Sequence, residues 1–315
     1  MPVHRISRVY RSLAVLATGT LIACVAPSAF AADRSAAGDK PGPGIRQVAE
    51  GQALNVVAGV GGLAAPATAV PGFATFRVAT SDPGRGHVGL LRLNPGVSVE
   101  AFVPNLVRAL SHDPDGIRDG GNAVMREATF LGGAATVPGR SVSFGVTLRP
   151  GMYFWVDFLD FETANPPGVE RVRTLTVAGR PDATPGPSPE GVIASIRTGE
   201  GPRYVAPDRI RSGAPLLVVN LLPRQVNEAI LYPVPAGTTN ERLAEFFRAL
   251  DRGEWGTPPF DTTAGLGMTP LSPGRSAVLD APLDAGRYAL ITWVHDISDA
   301  KRLGAKGMHT LIEVE

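Results

Sequence analysis

The sequence of 315 residues contains a single cysteine, Cys24. Because a disulfide needs two thiols, no disulfide framework can form within the chain, and sites built from several cysteines are excluded. Lysine is nearly absent, since only Lys40, Lys301 and Lys306 are present, and the formal net charge is +1. Cations and anions are interspersed along the chain, so we predict no nucleic-acid partner.

Catalytic motifs are also missing. No Gly-x-Ser-x-Gly segment presents a nucleophilic serine, and the Gly-rich stretch GVGGLAAP (59–66) lacks the Lys-Ser/Thr of a phosphate-binding loop. The stretch DPDGIRDGGN (113–122) resembles an acidic calcium loop, but it lacks the glutamate that closes an EF-hand, so we interpret it as a solvated Asp/Gly turn. We therefore predict that the protein is not an enzyme.

The first 31 residues predict export from the cytoplasm. A basic start is followed by the apolar run LAVLATGTLIACVA (13–26) and by Ala29-Phe30-Ala31, the small-x-small pattern of a signal-peptidase site. We predict a signal peptide over 1–31 and a secreted protein with no transmembrane segment in the mature chain. An alternative stays open, because LIAC (21–24) resembles a lipobox in which Cys24 would carry a lipid and anchor the protein to the outer face of the membrane.

Two parts of the sequence resemble each other. The stretch PGRSVSFGVTLRPGMY (138–153) matches PGRSAVLDAPLDAGRY (273–288) at Pro, Gly, Arg, Ser, Leu, Gly and Tyr without a gap. Gly/Pro-rich residues between them are typical of a linker. We therefore predict a tandem repeat of one unit, with domains over 46–179 and 190–315 and a linker over 180–189.

Hydrophobic periodicity predicts that both domains are β-proteins. Short runs that alternate or stay apolar lie between Pro, Gly and Asp turns, which favours strands of a Greek-key sandwich. The runs are ATFRVAT, HVGLLRL, SVSFGVTL, MYFWVDF and RTLTVAG in the first part, and LLVVNLL, AILYPV, YALITWV and HTLIEVE in the second. We also predict one short helix in each domain, beginning near Pro104 in the first because proline suits a first helical turn.

The order of these segments resembles that of the cupredoxin-like domains of secreted bacterial proteins. The resemblance is carried by His87, by RLNPG (92–96) and a helix, and then by PGRS and by Leu-x-x-Gly-x-Tyr before a final strand. It covers nearly all of each half and implies an all-β fold of two tandem cupredoxin-like Greek-key sandwiches. In that family an early His, a Cys four residues after the Tyr, a later His and a Met hold one copper, and this donor set suits cycling between Cu(I) and Cu(II).

This ligand set is incomplete in both halves. The first half keeps the early histidine, has an aspartate in place of the cysteine, and offers no later His or Met. In the second half an asparagine and a threonine replace the early His and the Cys, although a later His and a Met remain. We call these the ligand-equivalent positions: His87 and Asp157 in the first half, and Asn227, Thr292, His295 and Met308 in the second.

Without a thiolate, the resemblance does not imply electron transfer. We predict no cofactor and a non-catalytic binding or interaction module outside the cytoplasm, whose partner is an unidentified extracytoplasmic protein or small ligand. The alternative is a copper-handling protein with an incomplete site built from His87, His295, His309 or Met308. A multicopper oxidase also has tandem cupredoxin domains, but it requires paired His-x-His motifs, which this sequence lacks.

The resemblance also implies one contact. If MYFWVDF is the strand that would carry the cysteine, then Asp157 lies beside His87, and we predict that the imidazole donates a hydrogen bond to the carboxylate and becomes easier to protonate. Asn227 and Thr292 should form an uncharged counterpart. A register shifted by one residue would instead turn Asp157 towards solvent.

Overall fold

The computed structural model describes residues 51–315, which form two groups of strands. The first half, residues 51–179, contains β1 Gln52–Ala58, β2 Thr68–Ala69, β3 Gly72–Thr80, β4 Gly86–Leu93, β5 Ala128–Thr136, β6 Val142–Leu148, β7 Gly151–Asp157 and β8 Arg173–Val177. The second half, residues 190–315, contains β9 Gly191–Thr198, β10 Gly201–Val205, β11 Arg209–Ile210, β12 Leu216–Asn220, β13 Asn227–Pro233, β14 Leu266–Leu271, β15 Arg275–Asp280, β16 Gly286–Ile291 and β17 His309–Val314. Each of the nine runs that periodicity identified contains most of one strand.

The strands form two sheets, and each sheet runs through both halves. One sheet has the order β1-β3-β6-β15-β12-β9-β10, and the other has the order β11-β17-β16-β13-β14-β5-β4-β7-β8-β2. The halves meet where β6 pairs with β15 and where β5 pairs with β14, both antiparallel. The two sandwiches are therefore joined edge to edge, which removes four exposed strand edges from the molecule.

A continuous hydrophobic core lies between the sheets and contains residues of both halves, such as Phe76 and Trp155 from the first and Leu231 and Leu279 from the second. The ten-stranded sheet is also covered on its outer face by helices. The sequence GMYFWVD of β7 reflects this, because Tyr153 and Trp155 belong to the central core while Phe154 and Val156 pack into the outer cluster beneath the helices. A strand buried on both faces needs apolar residues at nearly every position.

These features confirm the predicted all-β fold class, because two sheets enclose the central core and helices are few. The prediction of one short helix in each half is wrong for the first half, which contains α1 Val99–Ala109, α2 Pro114–Glu127 and the single turn α3 Phe158–Phe161. The second half contains one helix, α4 Asn240–Asp251. Its apolar residues Leu243, Phe246, Phe247 and Leu250 are all buried against the sheet.

The predicted start of the first helix is also wrong. Ser98 caps α1 by accepting a hydrogen bond from the backbone of Ala101, and Pro104 lies inside the helix. Proline there removes one helical hydrogen bond, yet the helix continues because Phe102, Val103 and Leu106 are buried beneath it. Burial of this face stabilises the helix more than the missing bond destabilises it.

The acidic stretch 113–122 forms α2 rather than a turn. Asp113 caps the helix by accepting from the backbone of Gly116, and Pro114 occupies the first turn, where its missing N–H costs nothing. Gly120 allows α2 to approach α1, since a Cβ at this position would lie 2.4 Å from the backbone nitrogen of Ala109. The aspartates and glycines therefore serve helix capping and close helix packing.

The predicted linker, 180–189, contains no strand, although Asp182 makes an isolated bridge with Gly72 and its amide donates to the carbonyl of Pro71. The described residues contain no helix long and apolar enough to cross a membrane.

Candidate functional site

Asp157 ends β7 and lies beside the start of β4, where Val88 is its partner in the strand register. Its side chain is 7% exposed. One carboxylate oxygen accepts hydrogen bonds from the backbone amide of His87 at 3.1 Å and from that of Leu159 at 3.2 Å, so the aspartate also caps α3. The alternative register, with Asp157 in solvent, is wrong.

The predicted imidazole–carboxylate bond is also wrong, because the contact between the two residues runs through the backbone of His87. Burial, with a smaller effect of the positive charge of Arg85, lowers the pKa of His87 to about 3, so the ring is neutral. Burial raises the pKa of Asp157 to about 6, although the amides of His87 and Leu159 oppose the shift. An aspartate that accepts two amide hydrogens serves as a backbone cap here rather than as an ion-pair partner.

The second half brings its two early ligand-equivalent positions together around a tyrosine. The Asn227 amide donates to the Ser195 hydroxyl at 2.8 Å and to the Tyr204 hydroxyl at 3.3 Å. The Tyr204 hydroxyl also reaches the carbonyls of Glu228 and Ile291. The Thr292 hydroxyl accepts the backbone amide of Val294 at 3.0 Å and lies close enough to Tyr204 to oppose the rise of its pKa. This cluster, Ser195, Tyr204, Asn227 and Thr292, is the tyrosine network, and each member is less than 9% exposed.

The later ligand-equivalent positions lie in different environments. Met308 is fully buried in the central core, whereas the neighbouring His309 stacks on Phe247 of α4 with ring centroids 6.4 Å apart. The two side chains therefore do not converge on one point. His295 is partly buried, and burial, together with the charges of Arg302 and His112, lowers its pKa to about 4.

A second set of polar residues, which the sequence did not indicate, lies at the junction of the halves. Glu228 on β13 is only 4% exposed, and its carboxylate accepts the backbone amide of Trp293 at 2.7 Å. Burial raises the pKa of Glu228 to about 7, and the negative charge of Glu162 raises it further. The Trp293 amide and the positive charge of Arg85 oppose this rise. A carboxyl group with such a pKa can gain or lose a proton near neutral pH.

Two charged residues of the first half, Arg85 and Glu162, lie close enough to affect the pKa of this glutamate. Glu162 is exposed, and the charges of Arg85, His112 and Arg302 favour its ionised form. Arg302 is itself paired with Asp251 at 3.1 Å. We call Arg85, Glu162, Glu228 and Arg302 the junction cluster.

The junction cluster combines two carboxylates with two guanidinium groups, which suits the binding of a ligand that carries both charges. Among residues 51–315, no group of three or more His, Cys, Asp or Glu side chains has the arrangement needed to hold a metal ion. The signal peptide over 1–31 and Cys24 lie outside the described residues and stay predictions. Sequence reasoning missed the cluster because its members are far apart in the chain and share no motif.

Comparison with solved structures finds copper proteins. An auracyanin from Roseiflexus castenholzii is 18% identical, with 39% of this chain and 94% of that chain covered, at a TM-score of 0.26. A multicopper oxidase is 11% identical over 84% of this chain and 88% of that chain, at a TM-score of 0.22. The copper nitrite reductase of Nitrosomonas europaea is 13% identical over 84% and 93% of the two chains, also at a TM-score of 0.22. None of these similarities assigns copper or an activity to this chain.

No protein-family model matches the sequence, and no curated protein matches it.

Proposed function

We propose that this protein is a copper-free, non-catalytic binding module that acts outside the cytoplasm. The observation that carries the proposal is that side chains at the ligand-equivalent positions form hydrogen bonds with other groups of the protein. Asp157 is used by two backbone amides, and Asn227 and Thr292 belong to the buried tyrosine network.

Internal bonding opposes metal binding at these positions. The side-chain oxygen of Asn227 has no hydrogen-bond partner, but an amide oxygen and the hydroxyl of Thr292 are hard donors that suit copper poorly, and no thiolate is available in either half. Turning Asp157 towards a metal would also leave the amides of His87 and Leu159 without their acceptor, which costs about 1–3 kcal/mol for each buried donor.

The binding surface in this proposal is the exposed part of the junction cluster, Arg85 and Glu162, to which the buried Glu228 adds its charge. Glu228 and Glu162 supply negative charge, and Arg85 makes no ion pair with another described residue, so its guanidinium is available to an anionic group. A small zwitterion, or a protein surface that presents both charges, would complement the charges of Glu228, Glu162 and Arg85. Such a site binds by complementary charge and needs no redox centre.

Copper titration tests the copper-free part. Cu(I) and Cu(II) are added to the mature protein and to a His87→Ala, His295→Ala double variant, and bound metal is measured after desalting. We expect neither protein to retain stoichiometric copper. Retention of one copper per chain by the first, lost in the double variant, would support the copper-handling alternative and overturn the proposal.

A thermal-shift panel tests the binding part. L-Arginine, L-glutamate, glycine betaine and putrescine serve as probes, with Glu228→Gln as the variant and the exposed Glu313→Gln as its matched control. We expect a zwitterionic amino acid to raise the melting temperature of the wild type and the control, and to have a smaller effect on Glu228→Gln. Equal shifts of the melting temperature in all three proteins would show that the amino acid binds at another site.

The location is tested by mass spectrometry of the secreted protein. We expect a mature N-terminus at Ala32, whereas a diacylglycerol group on Cys24 in the membrane fraction would establish lipid anchoring instead.

A further inference from the structure

A cavity of about 520 Å³ lies between α2 of the first half and the loops of the second half. It is separate from the junction cluster, since none of the four cluster residues lines it. The wall from the first half is α2, which contacts Ile297 of the second half closely. A Cβ on Gly121 would lie 2.5 Å from the side chain of Ile297, and the side-chain amide of Asn122, which lines the cavity, donates to the carbonyl of Ile297 at 3.5 Å. The cavity is thus built by the packing of the two halves, where ligand sites are common.

Three arginines line this cavity, Arg118 from α2, Arg197 from β9 and Arg224 from the turn between β12 and β13. Arg118 pairs with the exposed Asp115, and Arg197 lies 4.0 Å from Asp296. Arg224 makes no ion pair with any other residue in 51–315. Guanidinium groups on three sides of one cavity attract anions.

Two carboxylates also line the cavity, but cations outside it already neutralise them. Asp296 is paired with Lys306 at 2.7 Å and accepts from the amide and hydroxyl of Ser298. Asp119 is paired with Arg108 at 2.9 Å. Neither Lys306 nor Arg108 lines the cavity. Lys306 also pairs with Asp299 at 2.8 Å, and Arg118 pairs with Asp115. The lining residues and their ion-pair partners therefore comprise five cations and four carboxylates, and the unpaired cation is Arg224.

The backbone at Arg224 adds an independent observation. Its φ is +50°, in the left-handed region that disfavours a long L-side chain, where glycine or asparagine is the usual residue. Two buried amides fix this turn. Asn220 donates to the carbonyls of Gln225 and Leu271, and Gln225 donates to the carbonyl of His295 while accepting the amide of Ile297.

A strained residue persists where its surroundings fix it, and such residues concentrate at functional sites. The sequence places an arginine where a turn would favour glycine, and the turn places that arginine at the cavity. One of these buried amides, Gln225, also fixes the loop of Ile297, so the cavity wall is preorganised.

We infer that this cavity, lined by Arg118, Arg197 and Arg224, binds a small anion that carries two or more carboxylate or phosphate groups. Guanidinium groups match both kinds of oxygen geometry, and a cavity of this volume holds a molecule of the size of citrate or pyrophosphate. The inference does not depend on the junction cluster or on the absence of copper.

Calorimetric titration of the mature chain at low ionic strength tests the inference, with citrate and pyrophosphate as separate probes and acetate as the singly charged comparison. We expect one of the two multivalent anions to bind with a 1:1 stoichiometry and acetate not to bind. Preference for citrate or for pyrophosphate decides between carboxylate and phosphate chemistry. If neither binds below about 10 mM, well above the range of most specific small-ligand sites, the inference is wrong.

Charge-matched variants locate the site. Arg224→Gln and Arg197→Gln should each weaken binding about tenfold, because each removes one charged hydrogen-bonding partner. Arg242→Gln, which removes the same charge from the exposed surface of α4, should weaken it less than twofold. Equal weakening in Arg242→Gln would show that the anion responds only to net charge and would overturn the assignment.

Arg224→Gly separates binding from folding. Glycine adopts a positive φ without strain, so this variant should melt at a temperature no lower than that of the wild type while losing anion binding about tenfold. A variant that keeps wild-type affinity would show that Arg224 is not a ligand residue.

Discussion

The two halves fill equivalent positions in different ways. In the first half the position of the missing cysteine holds a carboxylate, Asp157, which is bonded to backbone amides. In the second half the same position holds Thr292, which joins Asn227 and Tyr204 in an uncharged network. The carboxylate of the first half accepts two amides, whereas the network of the second half leaves the side-chain oxygen of Asn227 without a hydrogen-bond partner. Only the first arrangement contains a group whose pKa lies between acid and neutral pH.

The difference predicts different responses to pH. Burial raises the pKa of Asp157 to about 6, so its protonation state changes between acid and neutral pH. Asn227 and Thr292 have no proton to gain or lose in this range, and burial raises the pKa of Tyr204 well above its usual value, which keeps the phenol neutral. The second half should therefore keep its network at every pH at which the protein is folded.

The largest effect is expected from Asn227→Ala. The change removes two hydrogen bonds from the buried tyrosine network and leaves a cavity, so the free energy of unfolding should fall by about 3 kcal/mol. Urea denaturation measures it, with the exposed Asn55→Ala on β1 as the control, for which we expect a change below about 0.5 kcal/mol. A loss of less than about 1 kcal/mol in Asn227→Ala would show that the network contributes little.

Glu228→Gln tests the pH response next to that network. The pKa of Glu228 is raised to about 7 in the folded protein, so the folded state holds this proton more tightly than the unfolded state does. Stability is therefore lost as pH rises from about 4.5 through 7, and the neutral glutamine avoids this loss. We expect the variant to be about 2 kcal/mol more stable than the wild type at pH 8 and equal to it at pH 4.5.

The control for this measurement is Glu313→Gln, an exposed residue on β17, for which the difference between the two pH values should be close to zero. If the stability of Glu228→Gln follows that of the wild type at both pH values, the Trp293 amide and the charge of Arg85 stabilise the buried carboxylate as well as water does.

Asp157→Asn should show the same sign with a smaller magnitude. The amide oxygen of asparagine can still accept from the amides of His87 and Leu159, whereas the buried charge is removed. Because the pKa of Asp157 is raised from 3.8 to about 6, the variant should gain about 1 kcal/mol over the wild type at pH 8 and nothing at pH 4. Asp208→Asn, at an exposed position, is the matched control.

A negative result here has a clear meaning. If Asp157→Asn is less stable than the wild type at pH 8, the negative charge itself strengthens the two hydrogen bonds more than burial penalises it. The first half would then depend on charge in a way that the second half does not.

Sequence patterns identified the fold class because apolar strands and their turns depend on neighbouring residues. They failed for β5, because its sequence ATFLGGAAT does not alternate between apolar and polar residues. Its glycines are needed where β4 and β14 approach, since a Cβ on Gly133 would lie 2.0 Å from the carbonyl oxygen of Val88. They failed for α2, because Gly120 and Gly121 disfavour a helix locally and are tolerated only through contacts with α1 and Ile297. The joining of the sheets through β6 and β15 leaves no local pattern either.

Like the fold, the candidate site could be predicted from the sequence only in part. The resemblance located Asp157 next to the start of β4, because strand order fixes which residues lie near each other. It did not predict that the carboxylate bonds to backbone amides, since this depends on α3 starting directly after β7. The junction cluster and the cavity at α2 arise where the two halves meet, so no stretch of either half encodes them.

The smallest effect is expected when the cysteine is restored. Asp157→Cys places a thiol at the end of β7, but the segment from Phe158 to Val172 contains no His or Met, so His87 is the one other ligand-equivalent position in this half that holds a copper ligand. A blue copper centre needs a thiolate with two imidazoles and a weak axial ligand. We therefore expect no intense blue absorption when Cu(II) is added to Asp157→Cys, and a spectrum no different from that of Ser298→Cys, which carries an exposed thiol as the control. An intense blue band in Asp157→Cys alone would show that the first half retains a nearly complete copper site. The first half would then be closer to a copper protein than the second, although the second keeps more of the ligand-equivalent His and Met residues.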